Sequence, residues 1–199
     1  MISATGETFT EQGYAATVLA EVAERAGVSV ETIKKRFGTK RELLAAWFDS
    51  AVAGDEGVAV ADSGWVADLR RAGTLEERVS IATAAVTATL RRAAPALVAA
   101  AAAAHADPDI ADWWADERKR RHQDVEAIVP LVLGDVAPVL PHEQFVDAVY
   151  ALSEAHTFLV LTHELGWPDD RYYRWLAAQF HQLITSESFD NPEQQGGPR

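Results

Sequence analysis

The stretch TVLAEVAERAGVSVETIKKRFGTKRELL, from Thr17 to Leu44, decides the fold of this chain. Its first part repeats apolar residues at the spacing of one helix face, at Val18, Val22, Ala23 and Ala26. Gly27 is predicted to end that helix, because glycine adopts a left-handed end without strain. Ser29 is predicted to cap the next helix through its hydroxyl. The stretch therefore predicts two short helices joined by a tight turn.

The second of these helices has one apolar face and one polar face. Ile33 and Phe37, at positions i and i+4, turn inward. The outer face carries Glu31, Thr32, Lys34, Lys35 and Arg36. A pair of short helices whose second member has a polar outer face is the geometry that places a helix in the major groove of DNA.

The local charge and capping pattern support a DNA-binding role. The span 34–41 holds five basic side chains and no acid, and basic side chains that neutralise phosphates supply most non-specific affinity for DNA. Thr39 and Glu42 have the spacing of a capping box, which places Lys40 in the first turn of a third helix. There Lys40 and the backbone N–H groups can both meet a phosphate.

These residues resemble the DNA-binding domain of TetR-family transcriptional regulators over residues 1 to about 50. The match is gap-free over about a quarter of the chain, and the later segment HELGWPDDRYYRWLA is also similar. The matching positions are Phe9, Glu11, Gly13, Tyr14, Thr17, Val22, Ala23, Ala26, Gly27, Val28, Ser29, Thr32, Ile33, Phe37, Lys40 and Leu43. The resemblance implies an all-α protein with an N-terminal three-helix helix-turn-helix domain and a C-terminal helical bundle for ligand binding and dimerisation.

Two residues on the outer face depart from the family pattern. Lys34 stands where a phosphate-contacting tyrosine is usual, and Glu31 stands where a small residue is common. Glu31 can either accept from a cytosine amine or complement the positive N-terminus of its helix. The predicted DNA contacts are Thr17, Ser29, Val30, Glu31, Thr32, Lys34, Lys35 and Lys40.

The first helix has a weak sequence pattern. Polar or small residues stand where apolar ones or alanine are expected, at Ser3, Thr5, Gly6 and Thr8. The family pattern enters this helix with no helical turn and no basic arm before it. We therefore expect the first helix to lack residues at its N-terminus. These features keep an alternative open: a helical small-molecule-binding or adaptor protein with a degenerate DNA-binding head.

Composition limits the possible functions. The 199 residues are 48% hydrophobic, contain no cysteine and carry a net charge of −12. Residues 1–53 hold six basic and seven acidic side chains, so 6 − 7 = −1, and the remaining −11 belongs to the second part of the chain. No apolar run reaches the ~18 residues of a spanning helix, and no secretory leader is present. We expect a soluble, cytoplasmic protein.

The chain after residue 50 is predicted to be all helix, with a helical domain over 51–185 and a disordered tail over 186–199. The span 54–64 is interpreted as a loop, and Thr74 with Glu77 is predicted to open a helix that Pro95 then breaks near residue 92. Further helices are expected over 96–106, from Asp107 into the 130s, over 142–165, and from Pro168 to about 184. The basic run ERKRRH at 117–122 is expected to be a solvated helix face.

The central helices carry aromatic and histidine residues that can line a ligand cavity. The candidates are His105, Trp113, Trp114, Tyr150 and His156. For any single one of them, ordinary core packing is the favoured interpretation. The alanine-rich segment from Ala96 to Ala106 either leaves room for a ligand or permits close packing of helices, and the sequence does not separate these readings.

The last two long helices are strongly apolar. The helix over 142–165 is apolar nearly all round, so it is expected to be buried on more than one side. The resemblance implies that both helices form a four-helix dimer interface, with intrachain packing as the alternative. The predicted interface residues are Phe145, Val149, Leu152, Tyr172, Leu176, Phe180 and Leu183.

Catalytic and metal patterns are missing from the sequence. It has no phosphate loop, no G-x-S-x-G elbow and no H-E-x-x-H motif, and no residue pattern requires a cofactor. We therefore expect a non-enzymatic, ligand-responsive regulator, most simply a repressor, that binds double-stranded DNA as a homodimer and is released by a small hydrophobic effector.

Overall fold

Side chains cap four of the helices at their N-termini. In the computed structural model, which describes residues 1–54 and 60–185, Ser29, Thr39, Thr74 and Asp107 each cap the helix that follows. The helices are α1 Ile2–Ala16, α2 Leu19–Ala26, α3 Val30–Phe37, α4 Lys40–Ala53, α5 Gly64–Arg71, α6 Leu75–Ala104, α7 Pro108–Leu133, α8 His142–Leu152, α9 Ala155–Leu159 and α10 Asp169–Thr185. The all-α fold class is confirmed, with no strand among the described residues.

A small hydrophobic cluster holds the three N-terminal elements that follow α1. Val22 and Ala23 of α2 pack with Ile33 of α3 and Leu43 of α4, and each is at most 3% exposed. Phe37 is only partly buried at the edge of this cluster. Gly27 between α2 and α3 has φ 66°, the left-handed end that the sequence predicted.

Close contact with α4 explains the weak pattern of α1. Gly6 lies against the Trp47 indole, where a Cβ atom on residue 6 would be 2.6 Å from the ring nitrogen. Thr5 and Thr8 are buried, and their hydroxyls donate to the carbonyls of Met1 and Ala4 at 2.9 and 2.8 Å. These residues are therefore compatible with a packed helix, because their polar groups are satisfied within it.

The main hydrophobic core crosses the predicted domain boundary at residue 50. That boundary falls inside α4, and the core joins Phe9 of α1 and Leu44, Trp47 and Phe48 of α4 to the buried faces of α6, α7, α8, α9 and α10. The long helix α6 packs against α1, α4, α7, α9 and α10. The two predicted domains thus share one core.

The expected break at Pro95 is wrong. Helix α6 runs without interruption from Leu75 to Ala104 with Pro95 inside it. A proline removes one backbone hydrogen bond and crowds the preceding turn. The flanking Ala93, Ala94 and Ala96 are fully buried, so packing on both sides of the proline keeps the helix continuous.

The predicted single helix over 142–165 is also wrong. Helix α8 ends at Leu152, α9 begins at Ala155, and Val160–Glu164 forms a π-helical turn. The guanidinium of Arg121 on α7 fills the break, donating to the Ser153 carbonyl at 2.8 Å and pairing with the Glu154 carboxylate at 2.7 Å. An arginine that binds exposed carbonyls stabilises a helix end, so Arg121 is not part of a solvated face as predicted.

Two predicted segments lie partly or wholly outside the described residues. The tail over 186–199 falls outside them, as do residues 55–59 of the predicted loop. Within the described part of that loop, Val60–Asp62 forms a short 3₁₀ helix. Helix α10 ends at Thr185, one residue beyond the predicted end.

The contact between Gly6 and Trp47 can be tested by substitution. Replacing Gly6 with Val should lower the free energy of unfolding by about 1–3 kcal/mol, because an added side chain overpacks the α1–α4 contact. Urea denaturation measures this loss. Gly73→Val is the matched control, since a Cβ there would lie 3.8 Å from Glu77 Oε2, an ordinary van der Waals distance. Equal stability of the two variants would contradict the packing described for α1.

Candidate nucleic-acid interface

Helix α3 presents a polar surface because its inner side is anchored. Ile33 is fully buried in the small cluster. The Ser29 hydroxyl accepts from the Thr32 N–H at 3.2 Å and lies 3.1 Å from the Thr32 hydroxyl. The outer residues Glu31, Thr32, Lys34, Lys35 and Arg36 are all exposed. The face that the sequence assigned to DNA therefore lies on the surface of the protein.

Two of the predicted contact residues also serve α3 itself. Val30 is half-buried and packs against the small cluster. The pKa of Glu31 is lowered, first by a hydrogen bond from its own backbone N–H and then by the Ser29 hydroxyl and the charge of Lys34. Two roles were open for Glu31. These contacts at the start of α3 match the role in which its carboxylate complements the positive helix N-terminus.

Thr17 does not reach the surface, which corrects its prediction as a DNA contact. Its side chain is fully buried, and its hydroxyl donates to the Gly13 carbonyl at 2.8 Å. Gly13 has φ 78° and ψ 161°, which is not helical. The Thr17 hydroxyl and backbone N–H both donate to the Gly13 carbonyl, so Thr17 stabilises the kink at Gly13 near the end of α1.

Lys40 holds the end of α1 against the start of α4. Its ammonium donates to the carbonyls of Tyr14 at 2.8 Å and Thr17 at 2.9 Å. The same ammonium lies 4.3 Å from the centre of the Tyr14 ring, a cation–π contact. The capping box of Thr39 and Glu42 is present as predicted, with Thr39 N–H donating to Glu42 at 2.7 Å. Lys40 thus has a structural role that the sequence did not reveal.

Arg25 is a second structural cation that the sequence analysis missed. It donates to Glu11 at 2.8 Å and lies 3.5 Å from Glu7, which ties α2 to α1. The hydrogen bond from Arg25 lowers the pKa of Glu11. The pairing was not evident in the sequence because 14 residues separate the partners.

The predicted ligand residues do not line one cavity. Trp113 and Trp114 pack edge-on against Phe48 of α4, with ring centres 5.3 and 6.0 Å away. His105 and His156 are exposed, and Tyr150 lies under the Arg121 guanidinium at 4.4 Å. Ala96, Ala100 and Ala103 are at most 2% exposed. Of the two readings that the sequence left open for the alanine-rich segment, the burial of these alanines matches close helix packing.

Two concave surfaces lie elsewhere among the described residues. The interdomain cleft, of about 380 Å³, is lined by Tyr14 and the first turn of α4 on one side and by Asp107 and Asp109 on the other. An open groove of about 800 Å³ lies between the end of α5 and the first turns of α6. No predicted ligand residue lines either surface.

Four of the predicted dimer residues belong to the core of a single chain. Tyr172 and Leu176 are fully buried, Phe145 is 3% exposed and Phe180 is 6% exposed. Their placement as interface residues is therefore wrong, and the intrachain alternative describes them. Val149, Leu152 and Leu183 are half-buried. The apolar stripe of α10 was visible in the sequence, but its partner was not.

The described residues contain no group of three or more histidine, aspartate or glutamate side chains placed to hold a metal ion. Across the same residues, no helix combines the length and the apolar character needed to cross a membrane.

The fold and the exposed face of α3 define a helix-turn-helix DNA-binding protein with a helical second domain. Residues 1–47 match the family model for bacterial regulatory proteins of the tetR family. The resemblance of the N-terminal domain to TetR-family transcriptional regulators is thus confirmed. No curated protein sequence matches the chain significantly.

Solved structures share the fold over nearly the whole chain. A transcriptional regulator from Saccharomonospora viridis in complex with choline is similar with a TM-score of 0.69 and 19% identity, covering 92% of this chain and 94% of that one. A TetR-family regulator from Mesorhizobium loti gives 0.68 at 16% identity, covering 92% of each chain. The fatty acid degradation regulator FadR from Bacillus halodurans gives 0.66 at 14% identity, covering 93% of each chain. At these identities the likeness concerns the fold.

The structural role of Lys40 can be separated from DNA binding. Lys40→Met keeps the side-chain length but leaves the carbonyls of Tyr14 and Thr17 without their donor. It should lower the free energy of unfolding by about 1–2 kcal/mol. Lys35→Met, on the exposed face of α3, should change stability by less than about 0.5 kcal/mol. Thermal and urea denaturation without DNA make the comparison. The described contact would be refuted by a Lys40→Met protein as stable as the Lys35→Met protein.

Proposed function

We propose that this protein is a ligand-responsive transcriptional repressor that binds a palindromic operator as a homodimer in the cytoplasm and catalyses no reaction. The exposed face of α3 carries the DNA-binding part of the proposal. It places Thr32, Lys34 and Lys35 outward from an anchored helix. Lys34 and Lys35 supply phosphate contacts, and Thr32 with Ser29 contributes to sequence preference.

The overall negative charge is compatible with this proposal. The excess of acidic residues lies in residues 54–199, whereas all the charged residues in the span 34–41 are basic. A Debye length of about 8 Å at physiological salt screens distant acids from the DNA surface. The acidic second domain should weaken non-specific binding and leave close contacts effective.

The DNA-binding model predicts a distinct salt dependence. Lys34→Ala with Lys35→Ala should weaken binding across sequences and reduce the slope of log affinity against log salt by about two. The matched control is Arg118→Ala with Lys119→Ala, which removes the same charge from exposed positions on α7. Fluorescence anisotropy with duplexes from the region upstream of the coding sequence measures the DNA affinity of both double variants at several salt concentrations. If the α3 variant and the α7 variant behave alike, α3 does not dock on DNA.

Dimerisation is proposed to use the side of α8 and α10 that a single chain leaves partly open. Val149, Leu152 and Leu183 remain half-buried there, and Trp175 on α10 is also half-buried. Leu165, just before α10, is 62% exposed. Apolar residues that a monomer leaves uncovered favour an interface. A two-fold dimer would present two α3 helices to successive major grooves about 34–36 Å apart.

The interface proposal predicts the effect of one buried charge. Leu183→Asp should place an unpaired carboxylate in the apolar seam and produce monomers at micromolar concentration. Gln123→Asp adds the same charge at an exposed position on α7 and should leave the dimer intact. Sedimentation velocity distinguishes the two, with circular dichroism to verify folding. A wild-type chain that sediments as a monomer would disprove the interface.

Effector response is proposed to act through the contact between α4 and α7. Trp113 and Trp114 of α7 pack against Phe48 of α4. A shift of α7 would therefore displace α4, the helix that follows α3. The similar fold of a regulator solved with choline supports a ligand-binding second domain. Release from mostly bound to mostly free DNA requires about 10⁴-fold preference of the effector for one conformer. A compound screen that follows tryptophan fluorescence together with DNA release tests this step.

A further inference from the structure

The interdomain cleft brings opposite charges face to face. On one side lies the first turn of α4, which carries Lys40, Arg41 and Glu42, and the Glu42 carboxylate is engaged in the capping box with Thr39. On the other side lie Asp107 and Asp109, at the start of α7. The ammonium of Lys40 is held by the carbonyls of Tyr14 and Thr17 at the end of α1, whereas the side chain of Arg41 is exposed. Arg41 is thus the cation of this turn that DNA phosphates can reach.

The two aspartates are fixed in place by the local structure of α7. Asp107 is the N-cap of α7, and its carboxylate accepts from the Asp109 N–H at 3.0 Å. Asp109 lies in the first turn of the same helix. Neither residue belongs to the DNA-binding domain. Their position relative to α4 therefore depends on how the second domain is placed.

The charges of Asp107 and Arg41 both influence the pKa of the Tyr14 hydroxyl. Burial raises the pKa of Tyr14, the negative charge of Asp107 raises it further, and the positive charge of Arg41 opposes this. Tyr14 lines the cleft between them. Asp107 therefore exerts its field across the cleft toward the turn that carries Arg41.

We infer that Asp107 and Asp109 are determinants of DNA affinity that lie outside the DNA-binding domain. Their carboxylates, across the cleft from Arg41, lower the affinity of the α3–α4 surface for phosphates. A movement of α7 toward α4 strengthens this effect, and a movement away relieves it. The inference rests on the proposed function, since it concerns the same DNA-binding surface.

The size of the effect follows from the repulsion between a phosphate held at Arg41 and the two carboxylates across the cleft. Two unit charges about 9 Å apart in water change an equilibrium constant by about twofold. Two carboxylates should therefore weaken DNA binding by about fivefold at low salt. The Debye length falls to about 3 Å at 1 M salt, so the effect should disappear as salt rises.

The test removes both charges without removing the cap. Asparagine caps a helix as well as aspartate does, so Asp107→Asn with Asp109→Asn should fold normally. At 50 mM salt this variant should bind a duplex from the upstream region about fivefold more tightly than wild type. The gain should fall below about 1.5-fold at 0.5 M salt. Asp109→Asn alone, which leaves the cap residue unchanged, should give about half of the effect on a logarithmic scale.

Two controls separate a local charge effect from other causes. Glu126→Gln with Asp135→Asn removes the same net charge at exposed positions distant from the cleft along the chain, and it should change affinity by less than 1.5-fold. Arg41→Gln should reduce the gain from the two aspartate substitutions, because no phosphate is then held close to the two carboxylates.

Each outcome decides the inference. A gain equal to that of the Glu126 and Asp135 control, or one that persists in full at high salt or with Arg41→Gln, would overturn it. Wild-type protein that fails to bind DNA at 50 mM salt would instead refute the proposed function itself, and the inference with it. Wild-type binding without the predicted gain rejects the inference alone.

Discussion

The hold of Lys40 on the end of α1 is the contact on which the DNA-binding surface depends. The ammonium binds the carbonyls of Tyr14 and Thr17 where Gly13 ends the regular part of α1. Carbonyls at a helix end lack intrahelical partners, so a cation there satisfies them and fixes the chain that leads into α2. The same residue begins α4, which follows α3 directly. Lys40 thus positions α3 relative to α1, together with the Arg25 pairs and the small cluster.

A shared hydrophobic core joins this surface to the rest of the protein. Phe48 of α4 meets Trp113 and Trp114 of α7, and Trp47 of α4 meets Phe9 of α1. Close-packed interiors transmit displacement because they contain little free space. A protein built in this way cannot move α7 without pressing on α4. This packing gives the proposed effector response a physical route that does not require a flexible hinge between independent domains.

Charged residues in this chain serve the fold and the function at different places. Arg25, Lys40 and Arg121 bind carboxylates or carbonyls of neighbouring helices. Lys34, Lys35 and Arg36 remain exposed on α3. Since a cation that already donates to fixed protein groups offers fewer donors to a phosphate, the two sets should contribute differently to DNA binding. The cleft beside Arg41 adds a third case, in which acids of the second domain lie across from a cation of the DNA-binding domain.

The sequence by itself determined the local elements of the N-terminal domain, because their signals lie within a few residues. The cap at Ser29, the capping box of Thr39 and Glu42, and the left-handed Gly27 were all predicted and are present. The burial of Ile33 and the exposure of Lys34 and Lys35 follow from the same helical period. The family resemblance added the expectation of a helical second domain, which the structure contains.

Only the tertiary structure decided which partner each apolar or charged face meets. The stripe of Tyr172, Leu176 and Phe180 fits a dimer seam and a monomer core equally well, and the fold places it in the core. Lys40 and Arg121 looked like solvent-facing cations because their carbonyl partners lie far away in sequence. Pro95 stays within a helix because buried alanines pack on both sides of it. Periodicity shows that a face is apolar, whereas its partner depends on contacts between distant segments, which a single sequence does not display.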